Sequence, residues 1–375
     1  SSSSSSSMGG LASGSIVRSR VEGGVSGATG NSAAGGPGDP GGSGIGSSLG
    51  SVFETSGGSS TAEQSADEAA VLVSFEDFAP QVFAELRSVF GIATVEYLLS
   101  LGPERVLTGL LFGRLLCYEQ IANSGRSGSI FFRSPDGRYF LKTLPTEEDE
   151  LLRAVLPSYR LHVVRWPASL LTRFCGLHRL TLSCSSSPQR DVLFVVMENM
   201  FHSRLPIHEQ YDLKGSTVGR HVAVHKQTGT VAGKDLDFHH RVRIGADRRA
   251  RLLEQIERDC KWMEAHNICD YSLLLGIHFV DRGEIPLSVV QAESSLDIDI
   301  SDWTRRGIRS LAEDGHSPGN QVYFMGIIDN LTEYNFKKKS EHHFKSLFHD
   351  SSQISAIPPT PYRIRFLKYV ASIMD

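Results

Sequence analysis

A break in composition near residue 68 decides how much of this 375-residue chain can fold. Up to that point the sequence is mostly Ser, Gly and Ala with scattered Pro, opening on a Ser run. Such a stretch buries too little apolar surface to offset its chain entropy, so residues 1–68 are expected to form a disordered tail. The stretch has neither the basic start nor the apolar centre of a secretory signal. From Val71 onward Leu, Val, Ile and Phe are dense enough for one large core or for two lobes sharing a cleft. No apolar run approaches the roughly 20 residues of a membrane span. The cysteines Cys117, Cys175, Cys184, Cys260 and Cys269 form no C-x-x-C pair, which suggests a reducing compartment and no structural zinc. The net charge of −4 is small, and screening confines charge effects to about 8 Å, so local clusters matter more than the sum.

The densest cluster is Tyr211-Asp-Leu-Lys-Gly-Ser-Thr-Val-Gly-Arg220, with an acid, two bases, two glycines and two hydroxyls in ten residues. Asp212 and Lys214 share parity, so in an extended segment both side chains leave one face, spaced to grip opposite ends of a polar group. Gly215 and Gly219 permit close backbone approach or positive φ. A hairpin turn with a solvated ion pair would need no more than this, so the cluster takes its meaning from what surrounds it.

Phe78 to Leu101 has helical spacing, with Gly91 a stop before a second helix from Thr94. Residues 118–144 change pattern to strand, glycine loop, strand, Pro-Asp-Gly turn and strand. Gly125 and Gly128, with Ser124, Ser127 and Ser129 as donors, suit a nest for phosphate oxygens. Alternation in the last of these strands puts Phe140 and Lys142 on one face and Leu141 on the other, and Glu148 in the following helix is within reach of the lysine. A Lys on a strand after a Gly loop, held by a Glu on the next helix, is a phosphate-gripping arrangement of kinases. Pro157 is expected to end that helix.

Residues 166–177 read as a mixed apolar connection and 183–191 as a Ser-rich loop. Residues 192–199 are a buried strand running to a hinge at Glu198-Asn199. The turn Lys234–Phe238 carries two acids and says little by itself. A helix follows from Asp247, its N-cap, to Asn267, with Leu252, Leu253, Ile256, Cys260 and Met263 on one face. Two acids then stand at the ends of apolar strands: Asp270 before Leu273–Val280, and Asp329 after VYFMGII. Phosphotransferases keep catalytic and Mg²⁺-binding carboxylates at such ends. Residues 281–320 between them are expected to be an irregular insertion.

The fragments SGRSGSIFF (124–132), FLKTL (140–144), LPSY (156–159), YDLKGST (211–217), CDYSLLLGIH (269–278), GIID (326–329) and KKKSEHHFK (337–345) stand in this order. Together they resemble the phosphatidylinositol phosphate kinases. The resemblance implies an α+β, two-lobed kinase domain over residues 69–375, with an antiparallel-sheet lobe (about 69–200), a smaller mixed lobe (about 201–375) and ATP in the cleft. It makes Lys142 the lysine on the ATP phosphates, Glu148 its partner, and Gly125, Gly128 and Ser129 parts of the loop over the nucleotide. Asp270 becomes the acid nearest the transferring phosphoryl and Asp329 a Mg²⁺ ligand, with Asp270 beside it. Asp212 and Lys214 face the γ-phosphate, and either Asp212 or Asp270 is the proton acceptor.

Residues 330–360 correspond to that family's activation, or specificity, loop. Taken as a helix, Phe336, Phe344, Leu347 and Phe348 share a side opposite Lys338 and Lys345, a basic amphipathic surface suited to an anionic membrane. Lys337, Lys338, Lys339 and Lys345 would contribute about 1 kcal/mol each near such a surface. The KK-x-E-H pattern ending in Glu341 and His342 resembles type I members, which phosphorylate the 5-position of phosphatidylinositol 4-phosphate. Pairing of Glu341 with Arg220 is the expected device that orients the lipid headgroup. The resemblance further implies a peripheral enzyme on the cytoplasmic face of a membrane, taken to be the plasma membrane, with no nucleic-acid partner and a homodimer left open. The competing readings are a kinase for the 3-phosphate or 5-phosphate isomer, a soluble inositol polyphosphate kinase, and an inactive membrane-binding scaffold. Intact Lys142, Asp212, Asp270 and Asp329 weigh against the scaffold, and the basic loop against a soluble substrate.

Overall fold

In the computed structural model, residues 16–21, 71–102, 119–121, 129–184, 187–222, 232–295, 306–334 and 357–375 are described. The first lobe is built by β1 (Ile16–Val21), β2 (Val71–Phe78), β3 (Glu119–Ile121), β4 (Phe131–Arg133), β5 (Tyr139–Thr143), β6 (Phe174–Cys184) and β7 (Ser187–Glu198). They form one antiparallel sheet in the order β1-β2-β6-β7-β5-β4-β3. The alternation expected in β5 is present: Tyr139 and Leu141 are buried, while Phe140 and Lys142 are only partly covered. Helices α1 (Pro80–Val89) and α2 (Thr94–Leu101) flank Gly91, whose φ of +62° makes the stop. α1 buries Phe83 and Leu86, and it packs against β6.

α3 runs from Thr146 to Arg165, straight through Pro157, so that proline does not end the helix. Its ring removes one backbone donor, but the buried stripe of Leu152, Val155, Leu156, Tyr159 and Val163 continues on both sides. Burying a side chain of this kind stabilises by about 1.5–3 kcal/mol, so a few of them outweigh the roughly 3 kcal/mol that an interior proline costs.

The second sheet has the order β11-β12-β13-β10-β8-β9, from β8 (Glu209–Leu213), β9 (Gly233–Lys234), β10 (Ser272–Phe279), β11 (Ser294–Ser295), β12 (Gly307–Leu311) and β13 (Pro318–Ile328). Its two outer pairs, β8·β9 and β11·β12, are parallel and the rest antiparallel. One face packs on α4 (Ala246–Ala265) and α6 (Pro359–Ser372), joining Leu273, Leu275, Ile277, Tyr323, Met325 and Ile327 to Leu252, Ile256, Cys260, Met263, Tyr362, Phe366 and Val370. The opposite face carries a smaller cluster of Leu205, Val290, Val322 and Phe324, with Val290 supplied by α5 (Leu287–Glu293). The architecture is the expected two-lobed α+β fold.

Several expected boundaries differ. Residues 16–21, placed in the tail, form edge strand β1 in register with β2 from Val71 to Glu76; three of the six, Ile16, Val17 and Val21, are β-branched residues that favour a strand. The connection at 166–177 already contains the start of β6, and all the described residues of the loop expected at 183–191 belong to β6 and β7. Asp247 lies in the first turn of α4, where it suits the helix dipole, while Gly245 with φ +81° is the N-cap. Residues 281–320 are not irregular throughout, since they include α5, β11, β12 and the start of β13. Their polar composition conceals the strands because Arg309 and Ser310 are buried with partners: Arg309 Nε donates to Gly319 O at 2.7 Å, and Ser310 Oγ accepts from Gln321 N at 3.0 Å.

The lobes are joined by main-chain bonds, Thr172 N to Ile327 O at 3.0 Å and Ile327 N to Leu170 O at 2.6 Å. Beside them the wholly buried carboxylate of Asp259 in α4 bonds His162 Nε2 (2.7 Å), Ser169 Oγ (2.9 Å), Leu170 N (2.8 Å) and Gln255 Nε2 (2.9 Å).

Candidate active site

Strand register brings two of the expected acids and Lys214 to one end of the second sheet. β10 is antiparallel to both neighbours, with Leu273 opposite Leu213 and Ser272 opposite Ile328. Lys214 therefore leaves β8, Asp270 precedes β10 and Asp329 leaves β13 at the same edge. A second zipper holds them: Ile268 bridges Glu333, Cys269 N donates to Thr332 O at 3.0 Å, and Tyr334 N donates to Asn267 O at 2.8 Å. Asp270 and Asp329 have φ of +63° and +65°, a left-handed conformation that Asp tolerates better than most residues and that turns each carboxylate out of its strand line.

Lys214 is the centre of the group. Its Nζ donates to the carbonyl of Asp270, lies 3.0 Å from Asp270 Oδ1 and 3.8 Å from Asp329 Oδ2. Burial works against its charge, but Asp270, Asp329 and Asp212 together outweigh that and raise its pKa. The carboxyl of Asp212 is disfavoured as an anion by burial, yet Lys214 and then Arg220 hold it below the ordinary carboxylate range. Asp329 goes the other way. Enclosure in the cleft pushes its carboxyl up, and Asp212 and Asp270 add to that against Lys214 and Lys142, although half of its side chain remains accessible. An accessible carboxylate crowded by other carboxylates is a place where a divalent cation relieves repulsion. Among the described residues no three His, Cys, Asp or Glu side chains form a complete cage. Mg²⁺ needs none, because it takes one or two carboxylates and fills its shell with phosphate oxygens and water.

The expected pair on the opposite lobe is formed: Lys142 Nζ donates to Glu148 Oε2, and both side chains are largely covered. Lys142 is close enough for its charge to act on Asp329, so the two lobes present their charged groups to one cleft. Asp212, Leu274 and Gly326 form a row across the second sheet. Met200, just past the hinge, packs at Gly326, where a Cβ would lie 3.0 Å from its Sδ. The hinge is held by Asn199, whose N donates to Arg138 O (2.7 Å) and whose Nδ2 donates to Gly137 O (2.8 Å).

Other expected residues fall elsewhere. Gly125, Gly128, Lys338, Lys339 and Glu341 lie outside the described residues, and Ser129 is almost wholly buried. The guanidinium of Arg220 is turned to acids of its own lobe: Nε donates to Asp235 Oδ2, and Nη2 donates to Asp212 O and lies 3.1 Å from Asp212 Oδ1. Asp235 is the residue that sequence reasoning passed over. Its Oδ1 accepts from Lys214 N (2.9 Å) and Gly215 N (2.6 Å), and its position in a two-acid turn was the only local hint.

Residues 114–373 match the family described as phosphatidylinositol-4-phosphate 5-kinase. A probable phosphatidylinositol phosphate kinase of Dictyostelium discoideum is 34% identical over 353 residues, covering 80% of this chain and 48% of that protein. The phosphatidylinositol 4-phosphate 5-kinase of Plasmodium falciparum is 33% identical over 315 residues, covering 80% of this chain and 18% of its own length. The human phosphatidylinositol 4-phosphate 5-kinase type-1 beta is 31% identical over 333 residues, with 80% and 58% covered. The chain thus spans little more than half of these relatives at most. No described helix is long and apolar enough to cross a membrane. With the paired Lys142 and Glu148 facing Asp212, Lys214, Asp270 and Asp329 across the cleft, and with the family match running through both lobes, the chain belongs to the phosphatidylinositol-4-phosphate 5-kinase family.

Proposed function

We propose that the chain transfers the γ-phosphoryl group of ATP to the 5-hydroxyl of phosphatidylinositol 4-phosphate, giving phosphatidylinositol 4,5-bisphosphate at an anionic membrane surface. The observation that carries this is the gathering of Lys214, Asp270 and Asp329 at one sheet end, facing the Lys142–Glu148 pair. Phosphoryl transfer asks a protein mainly for in-line placement and for positive charge around the transferring oxygens. Lys142, held by Glu148, grips the phosphates from one lobe; Lys214 places an ammonium on the other side of the cleft. Asp329, with Asp270 beside it, is the place for Mg²⁺, which when bound neutralises charge on the phosphates. Asp212 is assigned as acceptor of the hydroxyl proton, because Lys214 and Arg220 keep it ionised while Asp329, with Asp270 beside it, is given to Mg²⁺. Arg220 holds Asp212 ionised and aimed.

The lipid isomer and the membrane rest on Lys338, Lys339 and Glu341 in their basic amphipathic segment, and on the printed names of the Plasmodium and human relatives. The cytoplasmic leaflet, with its anionic lipids, is the surface such a segment fits. The test is transfer from ATP with Mg²⁺ to liposomes carrying each phosphatidylinositol monophosphate in turn, with products separated by isomer. Turnover on the 4-phosphate above the 3- and 5-phosphates is expected. Transfer to none of them rejects the kinase reading, and preference for another isomer rejects the substrate assignment. Glu341→Ala is expected to alter that isomer profile.

A further inference from the structure

We propose that Asp235 is a positioning residue for phosphoryl transfer, the single buried carboxylate that sets both Lys214 and Asp212. The inference rests on the kinase reading for its turnover measurement, and on geometry for the rest. Parallel pairing of the two-residue strand β9 with β8 puts Lys234 opposite Asp212, so the next residue, Asp235, arrives beside the turn at Lys214-Gly215. That pairing needs Gly233, since a Cβ there would lie 2.9 Å from the ring of Tyr211.

The two oxygens of Asp235 then do different things. Oδ1 collects two successive backbone N–H groups, those of Lys214 and Gly215, and so fixes the turn from which the Lys214 side chain reaches Asp270 and Asp329. Oδ2 takes Nε of Arg220, leaving Nη2 of the same guanidinium to hold Asp212 by both its carbonyl and its carboxylate. The Asp235 side chain is only 4% exposed, and its bonds run to the backbone N–H groups of Lys214 and Gly215 and to the guanidinium of Arg220. Its effect on the reaction runs through Lys214 and Arg220.

Asp237 in the same turn supplies an internal comparison. Its Oδ2 accepts from Val222 N (3.0 Å) and Lys234 N (2.9 Å), and its Oδ1 lies 2.5 Å from His221 Nδ1. It fastens the same loop to the same turn, but none of these partners belongs to the charged group at the cleft. An acid that merely closed the loop would behave like Asp237.

Asp235→Asn separates the two arms. An amide can keep one oxygen on the Lys214 and Gly215 N–H groups, but its NH₂ then meets Arg220 Nε donor to donor, and the guanidinium loses its anchor. Steady-state transfer to 4-phosphate liposomes is measured for the wild type, Asp235→Asn, Asp237→Asn, Arg220→Lys and the Asp235→Asn/Arg220→Lys double variant, with thermal midpoints for each. Wild-type turnover tests the kinase reading; the ratios among variants test Asp235. We expect Asp235→Asn to lose about 10²-fold in kcat, the scale of a misplacement near 1 Å, with KM for ATP within about twofold. Asp237→Asn keeps wild-type kcat. The double variant is no slower than the slower single, because both substitutions cut the same connection. If Asp235→Asn does not fold, Arg220→Lys reads the guanidinium arm by itself, with Asp235 still on the turn, and is expected to show the same loss in kcat. Wild-type kcat in Asp235→Asn or in Arg220→Lys, equal losses in Asp235→Asn and Asp237→Asn, or losses that multiply in the double variant overturn the inference.

Discussion

Asp270 and Asp329 combine two properties that are seldom wanted together, a left-handed backbone and a charge next to other charges. Asn adopts that backbone as readily as Asp. Substitution by Asn at either position therefore removes charge while leaving the turn intact, and the same exchange at Asp212 in β8 meets no special backbone demand. Asp212→Asn is expected to lower kcat by about 10²- to 10⁴-fold with ATP affinity retained, the range for loss of a general base. Asp329→Asn should weaken Mg²⁺ binding instead, so that half-maximal activity requires more Mg²⁺. Steady-state kinetics across ATP and Mg²⁺ concentrations separate the two, and an Asp212→Asn enzyme with normal kcat would move the proton acceptor to Asp270. In the sequence Asp270 and Asp329 stood out as acids at the ends of apolar strands, which have few structural reasons to be there, and Asp212 and Lys214 as parts of one dense charged cluster. Asp235 did not, because a buried acid that binds backbone N–H groups looks like any turn residue until its partners are in place.

Among the elements, α6 is the floor of the site. A Cβ on Gly215 would lie 2.7 Å from Tyr369 Cβ of this helix, and Gly215 has φ +69°. Tyr362 of the same helix donates its hydroxyl to Tyr271 O, next to Asp270. Gly215→Ala is thus expected to cost about 1–2 kcal/mol for the left-handed backbone alone, with the clash added, and to lower both thermal midpoint and kcat. α3 makes the opposite case: Pro157 is exposed within a continuous helix, and Pro157→Ala restores a backbone donor there. A gain of about 1–3 kcal/mol, read as a higher thermal midpoint, is expected. In β10, His278 is buried against His208, with Glu284 and Arg309 nearby and Nδ1 bonded to Pro206 O at 2.9 Å. Burial lowers its pKa from 6.5, helped by the charges of His208 and Arg309 and opposed by Pro206 O and Glu284. The unfolded chain takes up that proton near pH 6.5 and the folded chain only at lower pH. This contribution to stability is complete above the unfolded value and is lost as pH falls through the folded one. His278→Asn, which keeps a donor for Pro206 O, should flatten the fall in thermal midpoint between about pH 7.5 and about pH 5.5; an unchanged slope would place the effect on another group.

At the scale of the whole molecule, the two lobes share one buried acid. Asp259 bonds α3 through His162, the interlobe connection through Ser169 and Leu170 N, and its own helix through Gln255. Removing its carboxylate leaves several buried donors without an acceptor. Asp259→Ala is expected to cost about 3–5 kcal/mol, measured by denaturant unfolding, whereas Asp259→Asn retains part of the set and should cost less. Such a loss is a large share of the 5–15 kcal/mol, roughly, by which a domain is stable, so the Ala variant should also yield less folded protein.

Local chemistry determined on its own the apolar strands, the helices with a buried stripe, the Lys–Glu pair six residues apart and the acids at strand ends, because each depends on neighbours within one or two turns of chain. Even where sequence misjudged an element, as with α3 beyond Pro157 or β12 with its buried Arg309, the error came from packing that outweighs local preference. Tertiary structure alone decided which acids meet. Asp212, Asp235, Asp270 and Asp329 are spread over more than a hundred residues, and only the register of β8, β9, β10 and β13 puts them round Lys214 and Arg220. It also directed Arg220 to Asp212 and Asp235, since a guanidinium buried in that lobe needs acids within a few ångströms, and no spacing in the sequence specifies which ones those are.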